Sequence, residues 1–218
     1  MRRRRAAAAA AIACITAVVA GCGAGEGDAT ATAPAAAAGS AHAGHGAATG
    51  FEGGTISPVR QAPPLRLDDI DGRPVDIAGM RGDPVLVTFV YAHCPDVCPL
   101  IMSSLRQVRE EGGEAGRRMR VIAVSVDPEG DSPSVVRRFL RAHRVGGFVD
   151  YVVGSRAELE PVWDDWQVAQ AVPRDDPALI EHTSLIYGVN AAGELATAYP
   201  VGFAPEAVSR DLALLATP

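Results

Sequence analysis

The segment Pro84–Ala92, PVLVTFVYA, constrains this chain more than any other. It is a near-continuous run of apolar, β-branched and aromatic residues. Such a run fits a strand buried on both faces, as in a parallel sheet. It leads straight into His93-Cys94-Pro95-Asp96-Val97-Cys98-Pro99. Proline is tolerated in a first helical turn, where its missing N–H costs little, so a helix is expected just after the strand. Positions i and i+4 share a helix face. Cys94 and Cys98 are therefore expected to present both sulfurs at the top of the sheet. Free amides and the positive end of a helix stabilise thiolates there.

The rest of the chain supplies partners for that strand. Leu65–Ile77 alternates around Asp71-Gly72, a hairpin pattern. Leu100–Glu111 has helical spacing and stops at Gly112-Gly113. Met119–Val126 is a second buried strand. Asp131 or Ser132 caps a helix with Pro133 at its first position, running to about His143. Phe148–Val153 is a short strand. Ser155 and Glu158 form a capping-box pattern ahead of a helix to about Trp166. Thr183–Val189 is a third strand, Asn190–Gly193 turns the chain into Glu194–Pro200, and Pro205–Leu215 closes it as a helix. Strands alternating with helices predict a three-layer α/β domain.

The N-terminus reads as an address. Arg2–Arg5 precede an apolar stretch, Ala6–Ala20, of 15 residues. A spanning helix needs roughly 20, so a secretory signal peptide over residues 1–21 is the better match. The stretch ends Val19-Ala20-Gly21-Cys22, which resembles a bacterial lipobox and implies an acylated Cys22. Residues 22–56 are expected to be an Ala/Gly-rich tether with too little apolar surface to fold, and the domain to begin near Ser57. His42 and His45 in the tether are read as polar linker residues.

Export bears on the cysteines. With Cys14 discarded in the signal peptide and Cys22 acylated, Cys94 and Cys98 are the remaining thiol pair. All 20 basic residues are Arg, and the net charge is −6. Loss of residues 1–21 makes it four units more negative, which disfavours nucleic acid as a partner.

Two uses of the thiol pair stand open on residue chemistry alone. Soft thiolates favour Cu(I) and zinc, and cysteines one turn apart fall within disulfide range. A disulfide closing so short a loop contributes only roughly 2 kcal/mol. A domain of this size does not need that staple, so function is favoured over stabilisation. Trp163 and Trp166 are assigned to packing, His143 to a helix end, and His93 to the side away from the site.

Three segments carry a resemblance: Thr88–Pro99 with three residues between its cysteines, Ser125–Pro133 (SVDPEGDSP), and Glu181–Leu195 (EHTSLIYGVNAAGEL). Together they resemble the Sco/SenC family of copper proteins over about residues 58–216. The resemblance implies a thioredoxin-like fold, here with an N-terminal hairpin extension. It also implies copper bound by Cys94, Cys98 and His182, with Asp127 near the metal. Two departures are visible. Thr183 stands where Ser usually follows the histidine, and Val172–Ile180 lacks the expected aromatic and acidic pattern.

The implied function is a lipid-anchored protein on the extracytoplasmic face of the cell membrane. It would deliver copper to the dinuclear copper site of cytochrome c oxidase subunit II, or to another copper client. The alternative is a thiol–disulfide oxidoreductase that keeps client cysteines reduced, served by a thiol reductant, without carrying metal. A peroxiredoxin-like peroxidase is disfavoured, because no Thr or Arg supports the thiol in Val90-Tyr91-Ala92-His93.

Overall fold

All six residues of β4 (Val85–Val90) are buried, as a strand covered on both faces must be. The structure is a computed structural model that describes residues 50–171 and 179–217. The signal peptide, Cys22, the tether through residue 49 with His42 and His45, and residues 172–178 lie outside the described residues. No helix among the described residues is long and apolar enough to cross a membrane.

In chain order the elements are β1 (Gly54–Gln61), β2 (Arg66–Asp69), β3 (Pro74–Asp76), β4, α1 (Val97–Glu111), α2 (Gly113–Arg118), β5 (Arg120–Ser125), α3 (Pro133–His143), β6 (Val149–Val153), α4 (Arg156–Asp165), β7 (Gln170–Ala171), β8 (Glu181–His182), β9 (Leu185–Val189), β10 (Glu194–Pro200) and α5 (Pro205–Leu215). Eight strands form one sheet in the order β1-β10-β9-β4-β5-β6-β2-β3, and β7-β8 form a separate ribbon. β4, β5 and β6 run parallel. β9 and β10 add antiparallel on one side, and the β2-β3 hairpin adds antiparallel through β6 on the other. Helices flank this mixed sheet, giving the expected α/β architecture with its hairpin extension.

Much of the local reading holds. α3 begins at Pro133 with Ser132 as its cap residue. The Ser155 amide donates to the Glu158 carboxylate at 2.8 Å, one half of the capping box. Trp163 and Trp166 are buried. Trp166 joins Phe89 and Tyr187 in an aromatic cluster with ring centroids 5.3–6.2 Å apart.

Four details differ from expectation. β1 opens at Gly54, ahead of the expected domain start near Ser57, and pairs with β10 at the sheet edge. It is mostly exposed and contains Pro58, which an edge strand tolerates because one side of its backbone needs no ladder partner. α2 follows α1 directly, although its sequence, GEAGRR, shows no apolar periodicity. The expected strand Thr183–Val189 is shorter, beginning at Leu185, and His182 lies in the small ribbon instead. Finally, α1 begins at Val97, so Cys98 lies in its first turn but Cys94 lies in the preceding loop. The two sulfurs do not share a helix face, because the chain needs Cys94-Pro95-Asp96 to turn from strand into helix.

Candidate functional site

The loop between β4 and α1 is built from backbone hydrogen bonds. The Cys94 amide donates to the Tyr91 carbonyl at 3.2 Å, closing a turn over Ala92 and His93. The Cys98 amide, one of the free donors at the start of α1, donates to Cys94 Sγ at 3.3 Å. Cys94 thus accepts from the helix end while sitting outside the helix. Both thiols are free and buried, with Cys98 fully so.

The two thiols are electrostatically unlike. The Cys98 thiol donates to Cys94, and this, more than the opposing effect of burial, lowers the Cys94 pKa to about 5. The Asp96 and Cys98 amides and the Tyr91 side chain add to the lowering. Cys98 moves the other way, because it supplies that hydrogen bond and is buried. The pair therefore holds one ready thiolate and one protonated thiol near neutral pH.

His182 stands on β8, half-buried, with its ring edge-on to Tyr91 at a centroid distance of 6.1 Å. Its Nδ1 lies 3.0 Å from the Thr183 carbonyl. A carbonyl only accepts, so Nδ1 carries the proton and Nε2 keeps a lone pair. Burial lowers the pKa of the ring and favours this neutral form. Nε2 is buried and has no hydrogen-bond partner among the described residues. Tyr91 links the two halves of the site. Its hydroxyl bonds to Cys94 and accepts from the Ile180 amide at 3.3 Å.

Among the described residues, the one triad of His, Cys, Asp or Glu whose ligand atoms all lie within 4.8 Å is His93, Asp127 and Asp131. Cys94, Cys98 and His182 do not close to that distance. The thiols are assembled, and the histidine faces the same region across Tyr91. Two sulfurs and an imidazole lone pair without a partner are the kind of donor set that suits a soft cation.

Asp127 serves its own turn. Its Oδ1 accepts from the Gly130 amide at 2.9 Å. A Cβ at position 130 would fall 2.1 Å from Asp127 Oδ2, so a larger residue there would push the Asp127 carboxylate out of this turn.

The residue that sequence reasoning passed over is Asp131, read as a possible helix cap. It is 4% exposed. Its Oδ1 accepts from the Ala92 amide at 2.8 Å, and its Oδ2 from Ser125 Oγ and from the Tyr151 hydroxyl, both at 2.7 Å. Burial raises its pKa despite those bonds. Asp131 thereby ties the cysteine loop to the end of β5 and the middle of β6. With these oxygens already engaged, the His93–Asp127–Asp131 group is better described as a structural knot than as an open metal site. The SVDPEGDSP motif contained the signal, a second aspartate one turn after Asp127. Nothing local showed which of the two would be buried.

The fold agrees with that of known proteins. ScoI of Bradyrhizobium japonicum, solved with copper bound, is 30% identical with a TM-score of 0.62, over 70% of this chain and 98% of that one. Apo Sco1 of Thermus thermophilus is 29% identical with a TM-score of 0.64, over 78% and 99%. The human mitochondrial SCO2 homolog is 30% identical over 136 residues, 59% of this chain and 50% of that protein. The chain spans about half the length of several curated relatives it matches. A family model described as SCO1/SenC matches residues 55–217, and so the chain belongs to the SCO1/SenC family.

Proposed function

We propose that this protein binds copper as cargo through Cys94, Cys98 and His182 and passes it to the dinuclear copper site of cytochrome c oxidase subunit II or a similar client. One observation carries the reading: a buried thiolate–thiol pair faces a neutral histidine whose Nε2 is buried without a partner among the described residues. Such a nitrogen is poorly satisfied until a cation arrives. The copper-bound state of the Bradyrhizobium relative supports the choice of metal.

In this reading Cys94 binds first, because it is already a thiolate. Cys98 binds next and releases its proton. His182 completes the set when the ribbon moves inward. Transfer is ligand exchange, in which client cysteines and histidine replace these three donors one at a time, with no change in oxidation state required. Residues 1–21 would act as the export signal. Acylated Cys22 and the tether ahead of β1 would hold the domain at the extracytoplasmic face of the membrane, beside a membrane-bound client.

The asymmetry of the thiols also supports a second reading, thiol–disulfide exchange. The Cys94 thiolate would attack a client disulfide and release one client thiolate. Cys98 would then displace the second, leaving a Cys94–Cys98 disulfide and two client thiols. An external thiol reductant would restore the pair.

Anaerobic copper titration of the reduced full chain separates the readings. The copper reading expects stoichiometric binding with a thiolate-to-Cu(II) charge-transfer band. That band should be lost in Cys94→Ser and Cys98→Ser, and binding weakened in His182→Ala. Absence of tight binding, with disulfide exchange intact and His182→Ala like wild type, would leave the exchange reading in its place.

A further inference from the structure

The ribbon that carries His182 also carries Gln170. The two are direct Cα partners in the antiparallel β7-β8 pair, so their side chains stand side by side on one face. The register is fixed beyond the ribbon by two hydrogen bonds, from the Thr183 amide to the Ala169 carbonyl at 3.0 Å and from the Ala169 amide to Thr183 Oγ1 at 3.2 Å. Gln170 Nε2 is buried and, like His182 Nε2, has no hydrogen-bond partner among the described residues. A buried carboxamide nitrogen gives up its hydration and receives nothing in return. Two such atoms on adjacent positions of one two-stranded ribbon point to a shared ligand that enters between them.

The geometry points to Gln170 as a positioning residue of the copper-loaded site: its carboxamide N–H donates a hydrogen bond to the copper–thiolate group that His182 ligates. This inference rests on the copper reading and extends it to a second group on the ribbon. Because Gln170 and His182 are locked in register, the movement that brings the imidazole to the metal brings the carboxamide with it. A metal thiolate carries negative charge and lone pairs, so it is a strong acceptor for an amide donor. Such a hydrogen bond draws density from the sulfur and tunes the metal. Gln170 is not itself a ligand. It is satisfied only when the site is filled, and so favours the loaded state.

The test uses the full chain, reduced and anaerobic, as wild type, Gln170→Leu and Gln170→Glu. Cu(I) affinity is read by competition with a chromophoric Cu(I) chelator, Cu(II) by its charge-transfer band, and the copper-free protein by thermal unfolding. Gln170→Leu should bind Cu(I) about tenfold more weakly, the effect of one charge-assisted hydrogen bond. Its band should move to longer wavelength, while the copper-free form unfolds at the same temperature or higher. Gln170→Glu should bind more weakly again, because it sets a carboxylate against the thiolates. Unchanged affinity and band in both variants would overturn the inference and leave the copper reading intact. So would parallel losses of copper-free stability and affinity, which mark a purely structural role. Tighter binding by Gln170→Leu would also overturn it, making the carboxamide a cap on His182 in the empty state. Failure of wild type to bind copper would overturn the copper reading, and this inference with it.

Discussion

The cysteine loop and the β7-β8 ribbon meet at one site but are built in opposite ways. The loop joins the fully buried β4 to α1. It is pinned by Asp131 through Ala92 and closed by the Cys94–Tyr91 bond, and Cys98 is wholly covered. The ribbon has two strands of two residues each and stands outside the eight-stranded sheet. It holds two buried nitrogens with no partner among the described residues. The charged, reactive half of this site is therefore preorganised by the core, while the ribbon half is left under-satisfied. Segments with few core contacts open at low cost.

The largest expected effect falls on the loop. Asp131→Ala strands the Ala92 amide and the Ser125 and Tyr151 hydroxyls, and should cost about 3 kcal/mol in urea unfolding. Asp131→Asn keeps an acceptor and should cost less. It should also abolish one pH dependence. The folded-state pKa of Asp131 is raised by burial. Its contribution is therefore most favourable below the unfolded carboxylate range and is lost as pH rises through the folded value. A stability profile for Asp131→Asn that kept this decline would refute the assignment.

The next effect is on thiol reactivity. In reduced wild type, iodoacetamide should modify Cys94 with a midpoint near pH 5 and leave Cys98 unmodified at neutral pH. Cys98→Ala removes the main stabilising donor, so the midpoint should climb well above 5, towards the free-thiol value of about 8.5. Tyr91→Phe removes a lesser donor and should give a smaller upward shift in the same assay. It should also loosen the ribbon, read as faster hydrogen exchange at Ile180, because the Tyr91 hydroxyl is the acceptor for that amide. The smallest effect on stability belongs to His182→Ala. Its Nε2 makes no bond that folding depends on, so unfolding should change by only about 0.5 kcal/mol. A large loss there would show that the ribbon is fixed as firmly as the loop, and the contrast between the two would fail.

How much of this was legible can be followed through particular residues. β4 and β5 announce themselves, because a strand buried on both faces must be apolar throughout. Ser132-Pro133 and Ser155-Glu158 mark helix starts, because the free amides of a first turn select local residues. β1 and α2 left little trace. An exposed edge strand with Pro58, and a short helix rich in Gly and Arg, obey no apolar period. The cysteines and His182 stood out through the resemblance to Sco proteins rather than through periodicity. Asp131 was visible only as a possible helix cap, and Gln170 not at all, because a glutamine set among Val168, Ala169, Ala171 and Val172 carries no pattern that tells what it would face.

The local joints of this protein are written in its chain: a buried strand running into a CPDVCP turn and a helix, with two thiols held four positions apart. Three features arise only from packing. Cys94 accepts from the helix end while lying outside it, Asp131 rather than Asp127 is buried beneath the loop, and Gln170 stands beside His182. The physical reason is range. Backbone turns, caps and buried strands are set by neighbours in the chain. A hydrogen bond from Ala92 to Asp131, or a pairing of Gln170 with His182, exists only once distant segments have packed and shut out water.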